Sequence, residues 1–359
     1  MTADYVGQPP GMDEFAARAT VRWRAIDPLL PGAFPAEGPD LADDCGAGLT
    51  VGQGENLAAF GTCRHSQPDP GEIDLSWGMA RRFELAPRVV GPDAGAALDR
   101  LISLWRDHLA STPGSRDDDS AAIITWPSRD IDGVVTLQNH GLRPLAVVAI
   151  RPSARASARV GARASARVGA RAGARAGAWP AGEAPGPDTR IRRAGNADAE
   201  TIAAFGAEVA RFDAHFSGTP SRPGTVAALR HEATRLLAAR PGAEADPAAR
   251  PWTWLAERDG QPIGVIATQR PDRAAWIAPM TRLAPVAYTV LGYVSPQERS
   301  AGVGAALADC LHAEVDQAGV AATLLHYEQL NPYAAPFWSR QGYRPLWTMW
   351  EARPAWSLR

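Results

Sequence analysis

No lysine occurs anywhere in the 359 residues; all 37 basic side chains are arginine. That absence removes a phosphate loop of the Walker type, a pyridoxal Schiff base and any lysine nucleophile. A Gly-x-Ser-x-Gly elbow is missing too, so a serine hydrolase would lack its nucleophile. Cysteine is scarce: Cys45, Cys63 and Cys310 are odd in number and far apart, and the histidines at 65, 108, 140, 215, 231, 312 and 326 form no His-x-x-x-His pair. No metal site is expected, and reduced thiols fit a cytoplasmic protein. A formal charge of only −2 argues against a nucleic-acid partner for the molecule as a whole. No apolar run reaches the length of a membrane span, and Met1-Thr2-Ala3-Asp4-Tyr5 opens no signal peptide, so neither membrane nor export is expected.

What is present is ample apolar material, 45% hydrophobic residues with twelve tryptophans, in a chain about twice the length of a typical domain. Two cores are therefore expected. From Ser153 to Ala178 the chain turns to low complexity, with arginines at 155, 159, 163, 167, 171 and 175. Six arginines without an interleaved aromatic offer charge but no base-stacking surface, so a tether is the simpler reading than an arm for nucleic acid, acidic lipid or an acidic partner. The flanks look like copies of one unit. Gly95-Ala96-Ala97-Leu98 matches Gly304-Ala305-Ala306-Leu307, and Gly141-Leu142-Arg143-Pro144-Leu145 matches Gly342-Tyr343-Arg344-Pro345-Leu346, at offsets of 209 and 201. The expected organisation is a flexible N-terminus (1–12), a first unit (13–152), a linker (153–188) and a second unit (189–359).

The second unit reads as an α/β layer. Strands are expected over 189–194, 252–257, 261–268 (around an Asp259-Gly260 hairpin turn), 286–294 and 321–328, with helices from Asn196 to about Phe212, over 226–239 and over 303–318. Between the strand ending at Val294 and the helix lies Arg299-Ser300-Ala301-Gly302-Val303-Gly304-Ala305. A strand, a tight glycine turn and a helix beginning at the second glycine would aim free N–H groups and the positive helix end at one point, which attracts a phosphate. Glycine lets a diphosphate touch backbone.

Arg299, Gly302 and Gly304 resemble the acyl-CoA signature of the GNAT superfamily of N-acetyltransferases. Asn331-Pro332-Tyr333-Ala334-Ala335-Pro336-Phe337-Trp338 and then Gly342-Tyr343 keep the family's order and spacing over about seventy residues. The resemblance implies two GNAT-like α/β domains, each a mixed, twisted sheet flanked by helices, the second binding acetyl-CoA as co-substrate through residues 299–305. It further implies that Leu291, Gly292, Tyr293 and Val294 pair with the pantetheine arm in a gap between splayed strands, with Asn331 and Phe337 beside that arm; Asn331 also fits a helix N-cap. Aligned at the glycine turn, the first unit has Val90, Pro92 and Asp93 in place of Arg299, Ala301 and Gly302, so it is expected to be degenerate and to serve as a wall or edge cover.

Acyl transfer to an amine needs a base, oxyanion stabilisation and a route for the thiolate. Backbone N–H groups near 292–294 serve the second need in this family. His326 and Glu328, on one strand face, are the candidate bases, with a water chain as an alternative to both. The family's usual acid, a tyrosine, is replaced by Trp338; Tyr333 or Tyr327 substitutes, or the thiolate leaves unassisted. The acceptor, a small-molecule or peptide amine, is lined by the variable segments 212–225 and 274–283, which name no particular amine. A non-catalytic acyl-CoA-binding or scaffold protein is the alternative reading. Oligomeric state is not legible.

Overall fold

The computed structural model describes residues 11–32, 48–156, 188–238 and 250–359. The expected flexible N-terminus and almost all of the expected arginine-rich linker lie outside the described residues. The first unit contains α1 (Met12–Ile26), β1 (Gly48–Val51), β2 (Ala59–Ser66), β3 (Arg81–Val89), α2 (Ala94–Ser111), β4 (Ser120–Pro127), α3 (Ile131–Asn139) and β5 (Arg143–Pro152). The second contains β6 (Thr189–Arg193), α4 (Ala199–Ser217), α5 (Thr225–Leu237), β7 (Trp252–Arg258), β8 (Gln261–Gln269), β9 (Val286–Val294), α6 (Val303–Gln317), β10 (Ala322–Glu328), α7 (Ala334–Arg340) and β11 (Arg344–Ala352). Among the described residues no helix is long and apolar enough to cross a membrane, and Cys63 and Cys310 are free thiols.

Local chemistry accounts for the element ends. Asp259 and Gly260 both take positive φ (51° and 73°), the geometry of a tight hairpin turn between β7 and β8. The α4 start differs slightly from expectation: Asn196 lies in a short 3-10 turn, and Asp198 instead accepts the Gly195 N–H at 2.8 Å while pairing with Arg192. The helix then runs five residues past Phe212 to Ser217 and stops at Gly218, whose φ of 67° few other residues tolerate. In α6, Val303, Leu307, Leu311 and Val315 fall on one face at four-residue spacing and are all buried.

The strands form one eleven-stranded mixed sheet in the order β1-β2-β3-β4-β11-β5-β10-β9-β8-β7-β6. Here the two units are interlocked. β11, the last strand of the second unit, pairs antiparallel with β4 of the first, and β5, the last strand of the first, pairs antiparallel with β10 of the second. The exchanged strands pair with each other at the centre. Each unit's sheet is thus completed by the other's final strand. One face of the sheet carries α2 and α3 over the core that includes Leu98, Trp105 and Trp350, and α6 and α7 over the core that includes Val147, Leu311 and Trp338. The other face carries α1 and the 274–283 segment over Val148, Ile150 and Leu324, and α4 with α5 over Leu255 and Val265.

The duplication is visible in the backbone. Ala97 N–H bonds to Asp93 O, and Ala306 N–H to Gly302 O, each at 3.0 Å and at the same offset of 209. The parallel pair β3–β4 matches the parallel pair β9–β10. The connections before α2 and α6 differ, however: residues 90–93 join β3 to α2, whereas the longer segment 295–302 joins β9 to α6.

Strand exchange predicts mutual dependence. Residues 188–359 made alone lack β5 and leave the edge of β10 unpaired, so they are expected to aggregate. Co-produced with residues 1–156, they are expected to co-elute in size-exclusion chromatography as a one-to-one complex.

Candidate functional site

The segment between β9 and α6 is anchored at its start. Ser295 N–H bonds to Ile263 O at 2.8 Å, Glu298 N–H to Ser295 O at 2.9 Å, and the Glu298 carboxylate pairs with Arg258. Arg299 N–H reaches Pro296 O at 3.4 Å, and its Nε–H reaches Val294 O at 3.3 Å. Ser300 and Gly302 take positive φ (65° and 77°), turning the chain so that Gly302 caps α6 and Val303 is its first residue. The helix therefore begins one residue before Gly304. Among the described residues no hydrogen-bond acceptor is recorded for the N–H groups of Ser300 through Ala305; the next donor, Ala306, already closes the first helical turn on Gly302. A run of unfilled donors at the positive end of a fifteen-residue helix is an arrangement that can cradle an anion.

The floor of the cradle is apolar. A Cβ on Gly304 would meet the Phe337 ring at 3.1 Å and Val294 Cγ2 at 3.5 Å, and a Cβ on Gly292 would meet the Trp338 indole at 3.0 Å. Beneath it the sheet opens. β9 and β10 pair only from Val286↔Ala322 to Thr289↔Leu325, while β9 continues against β8 to Val294. The β8–β9 register shifts between Leu291 and Thr289, leaving Val290 as a bulge at the point where the parallel pairing stops. The backbone groups of 290–294 that do not face β8 therefore face a gap.

On the α4 side of that gap stand His326 and Glu328. The His326 ring shares a 2.9 Å hydrogen bond with the Tyr288 hydroxyl, and burial pushes its pKa down to about 4, so it is neutral near pH 7. Glu328 is 9% exposed, and among the described residues no side-chain partner is recorded for it. Burial foremost, then the nearby Asp213 and Glu351 carboxylates, raise its pKa to about 8 against the opposing pull of Arg353 and Arg143. Asp213, on α4, is likewise pushed up to about 6 by burial while accepting the Asn331 amide N–H at 2.8 Å. Arg143 and Arg353 are both held by Glu351, at 2.9 and 2.7 Å. Arg143 comes from β5, so the first unit contributes to this wall.

Residues 250–345, from the start of β7 into β11, match the family model described as an acetyltransferase (GNAT) domain. The chain carries a GNAT domain. Among solved structures it is similar to a GCN5-related N-acetyltransferase from Sphaerobacter thermophilus, with 14% identity over 96% of this chain and 92% of that one and a TM-score of 0.53, a likeness of fold. A GNAT-family acetyltransferase from Colwellia psychrerythraea (11% identity, 92% and 93% coverage, TM-score 0.43) and a tandem GNAT protein from the clavulanic acid biosynthesis pathway (14% identity, 97% and 97% coverage, TM-score 0.38) are also similar. No curated protein matches the chain.

Within the GNAT domain the residues singled out in the sequence fall into two groups. Leu291, Gly292, Tyr293 and Val294 lie on the open stretch of β9, Arg299 through Ala305 on the cradle, and Phe337 under Gly304. His326 and Glu328 share one face of β10. Three residues stand apart from these. Asn331 caps α7, its Oδ1 accepting the N–H of Tyr333 (3.0 Å) and Ala334 (3.3 Å) while its Nδ2 donates to Asp213. Tyr333 is exposed at the helix start, its ring 5.9 Å from Phe212, with the Arg299 guanidinium near both rings. Tyr327 faces the opposite side of the sheet from Glu328, toward the α6 core. Asp213 and Tyr288 were not singled out as chemistry; nothing near Tyr288 in sequence marks it, whereas Asp213 lies in the segment expected to line the acceptor.

The matching groove of the first unit is bridged. β3–β4 pairing ends at Leu85↔Ile124, and beyond it the buried Arg88 lies 3.8 Å from the ring centroid of Trp23 on α1. Arg22 of the same helix pairs with Asp130, at the start of α3, at 2.7 Å. The close approach of Trp338 to Gly292 gives a stability prediction: Gly292→Ala is expected to lower the unfolding free energy by about 1–3 kcal/mol through overpacking, measured by urea denaturation.

Proposed function

We propose that this protein transfers an acetyl group from acetyl-CoA to the nitrogen of a small-molecule or peptide amine, by direct attack in a ternary complex. Residues 189–359 hold the site in this reading, and residues 13–152 form a degenerate unit that supplies a strand and part of the acceptor wall. The observation that carries it is the run of unfilled amides from Ser300 to Ala305 above a strand pair that stops at Thr289↔Leu325, inside a GNAT domain. The residues present fit coenzyme A: the cradle suits a diphosphate, a side chain at Gly304 would crowd its floor, and the unpaired edge of β9 suits an amide-bearing arm. Acetyl-CoA supplies an activated thioester.

Glu328, ionised, accepts the proton that the acceptor ammonium must lose. The amine lone pair then forms the C–N bond as the C–S bond breaks, the nitrogen's surplus proton passes to the departing sulfur, and main-chain N–H groups at 292–294 stabilise the oxygen that gains charge. Glu328 is favoured over His326 because its carboxyl is unpaired and tuned toward the working pH, whereas His326 is held neutral and shares a hydrogen bond with Tyr288. Tyr327 lies on the wrong face for the leaving thiolate, and Trp338 has no usable acid proton; Tyr333 remains the candidate acid, with unassisted departure as the alternative. The reduced cytoplasm is the setting in which free thiols fit.

Two measurements test this reading. Gly302→Asp puts a carboxylate in the cradle and forces a side chain into left-handed backbone; acetyl-CoA binding in calorimetry is expected to weaken about hundredfold, from roughly 3 kcal/mol of combined strain and repulsion. For catalysis, Glu328 is protonated below and ionised above about pH 8, so kcat/KM is expected to rise with pH through that value and then level. Glu328→Gln is expected to lower the plateau about 10²–10⁴-fold and to erase the rise, followed by thiol release. Acetyl-CoA binding without acceptor-dependent thiol release would favour a binding or scaffold role instead.

A further inference from the structure

Trp276, in the segment joining β8 to β9, is 55% exposed yet fixed in place. Its Nε1–H donates to Gln269 Oε1 at 3.0 Å, and Gln269 Nε2 donates to Glu232 Oε1 on α5 at 3.3 Å. The indole meets Tyr288 edge-on with centroids 4.8 Å apart and lies nearly parallel to His326, 10° between planes at 6.3 Å. An exposed indole held by its polar edge and by two rings keeps a flat apolar surface in water at little further entropic cost, as a binding platform does. The row Trp276–Tyr288–His326 leads along β10 to Glu328, two residues and about 7 Å beyond His326 on the same face.

The charges around this row are one-sided. Among the described residues Glu328 and Asp213 form no ion pair with an arginine, while Arg143 and Arg353 bind Glu351, Arg270 pairs with Asp272, and Arg273 donates to the main-chain carbonyls of Arg235 and Ala238. A substrate carboxylate beside the amine would face the Glu328 and Asp213 carboxyls, a repulsion that the Glu351-bound guanidiniums of Arg143 and Arg353 offset only in part.

We infer that the acceptor is a hydrophobic primary amine, an ammonium on an aromatic or alkyl body without an adjoining carboxylate, and that Trp276 is the residue that selects it. This rests on the transferase reading and adds the substrate class. The body lies against the Trp276 indole while the nitrogen reaches Glu328.

The test compares phenethylamine, ethylamine and phenylalanine as acceptors, following thiol release from acetyl-CoA. Phenethylamine is expected to exceed both others in kcat/KM at least tenfold. Trp276→Ala is expected to lower kcat/KM about tenfold more for phenethylamine than for ethylamine, mainly through KM, the scale of one lost aromatic contact. Trp276→Phe should restore most of the difference, and Gln269→Leu, which frees the indole edge, should shift it in the same direction as the alanine variant. Equal use of phenylalanine or ethylamine, or a preference indifferent to Trp276→Ala, overturns the inference and leaves the transferase reading standing. If no amine releases thiol although acetyl-CoA binds, the transferase reading fails instead. Calorimetry of phenethylamine into the CoA-saturated protein then decides the platform alone: binding that weakens about tenfold in Trp276→Ala supports it, and no binding to the wild type overturns it.

Discussion

A parallel strand pair that stops halfway sets the geometry of everything around it. β9 and β10 hold together over four residue pairs and then part at the Val290 bulge, so β9 finishes its length bonded on one side only. Backbone donors and acceptors left without a partner inside a protein are costly unless something pairs with them. The open edge, the amides of the following turn and the face carrying Glu328 all follow from that divergence. One local irregularity thus opens a slot, aims a helix N-terminus across it and leaves a carboxyl group standing on its rim.

The sheet can tolerate such an opening because its centre is closed by exchange. β11 completes the first unit and β5 completes the second, so the divergent strand β10 is paired along its other side from Ala322 to Glu328. The exchange also carries chemistry. It sets Arg143 from β5 and Arg353 just past β11 around Glu351, which both guanidiniums bind, while their charges also act on Glu328 from a distance. The raised pKa of Glu328 comes first from burial and then from the Asp213 and Glu351 carboxylates, which outweigh the two guanidiniums.

The two copies share their packing and differ at the turn before the helix. Both retain the parallel pair, the capped helix and the same first-turn hydrogen bond, which the packing of the sheet requires. The first copy shortens the turn to residues 90–93 and lets α1 cross its groove through Trp23 and Arg22. The second lengthens the turn to 295–302 and keeps Gly302 in left-handed backbone. Packing constraints persist in both, whereas the turns themselves differ in length and in the residues they carry, Pro92 and Asp93 in one and Ala301 and Gly302 in the other.

Much of this was legible in the chain itself, because the signals are local. The strand at 286–294, the helix after the glycine turn, the Asp259-Gly260 hairpin and the copied Gly-Ala-Ala-Leu helices depend on residues close in sequence, whose periodicity and turn chemistry act within a few positions. Tertiary structure decided the rest. Nothing in sequence tells that β5 and β11 trade places, because strand partners are chosen by the whole sheet rather than by neighbours along the chain. Nor could spacing separate His326 from Glu328: they alternate onto one face, and only burial in the folded sheet holds the first neutral, while burial joined by the Asp213 and Glu351 carboxylates from distant segments raises the second toward pH 8. Burial and through-space charge are properties of the folded neighbourhood, which is why composition and motif named the candidates while packing distinguished them.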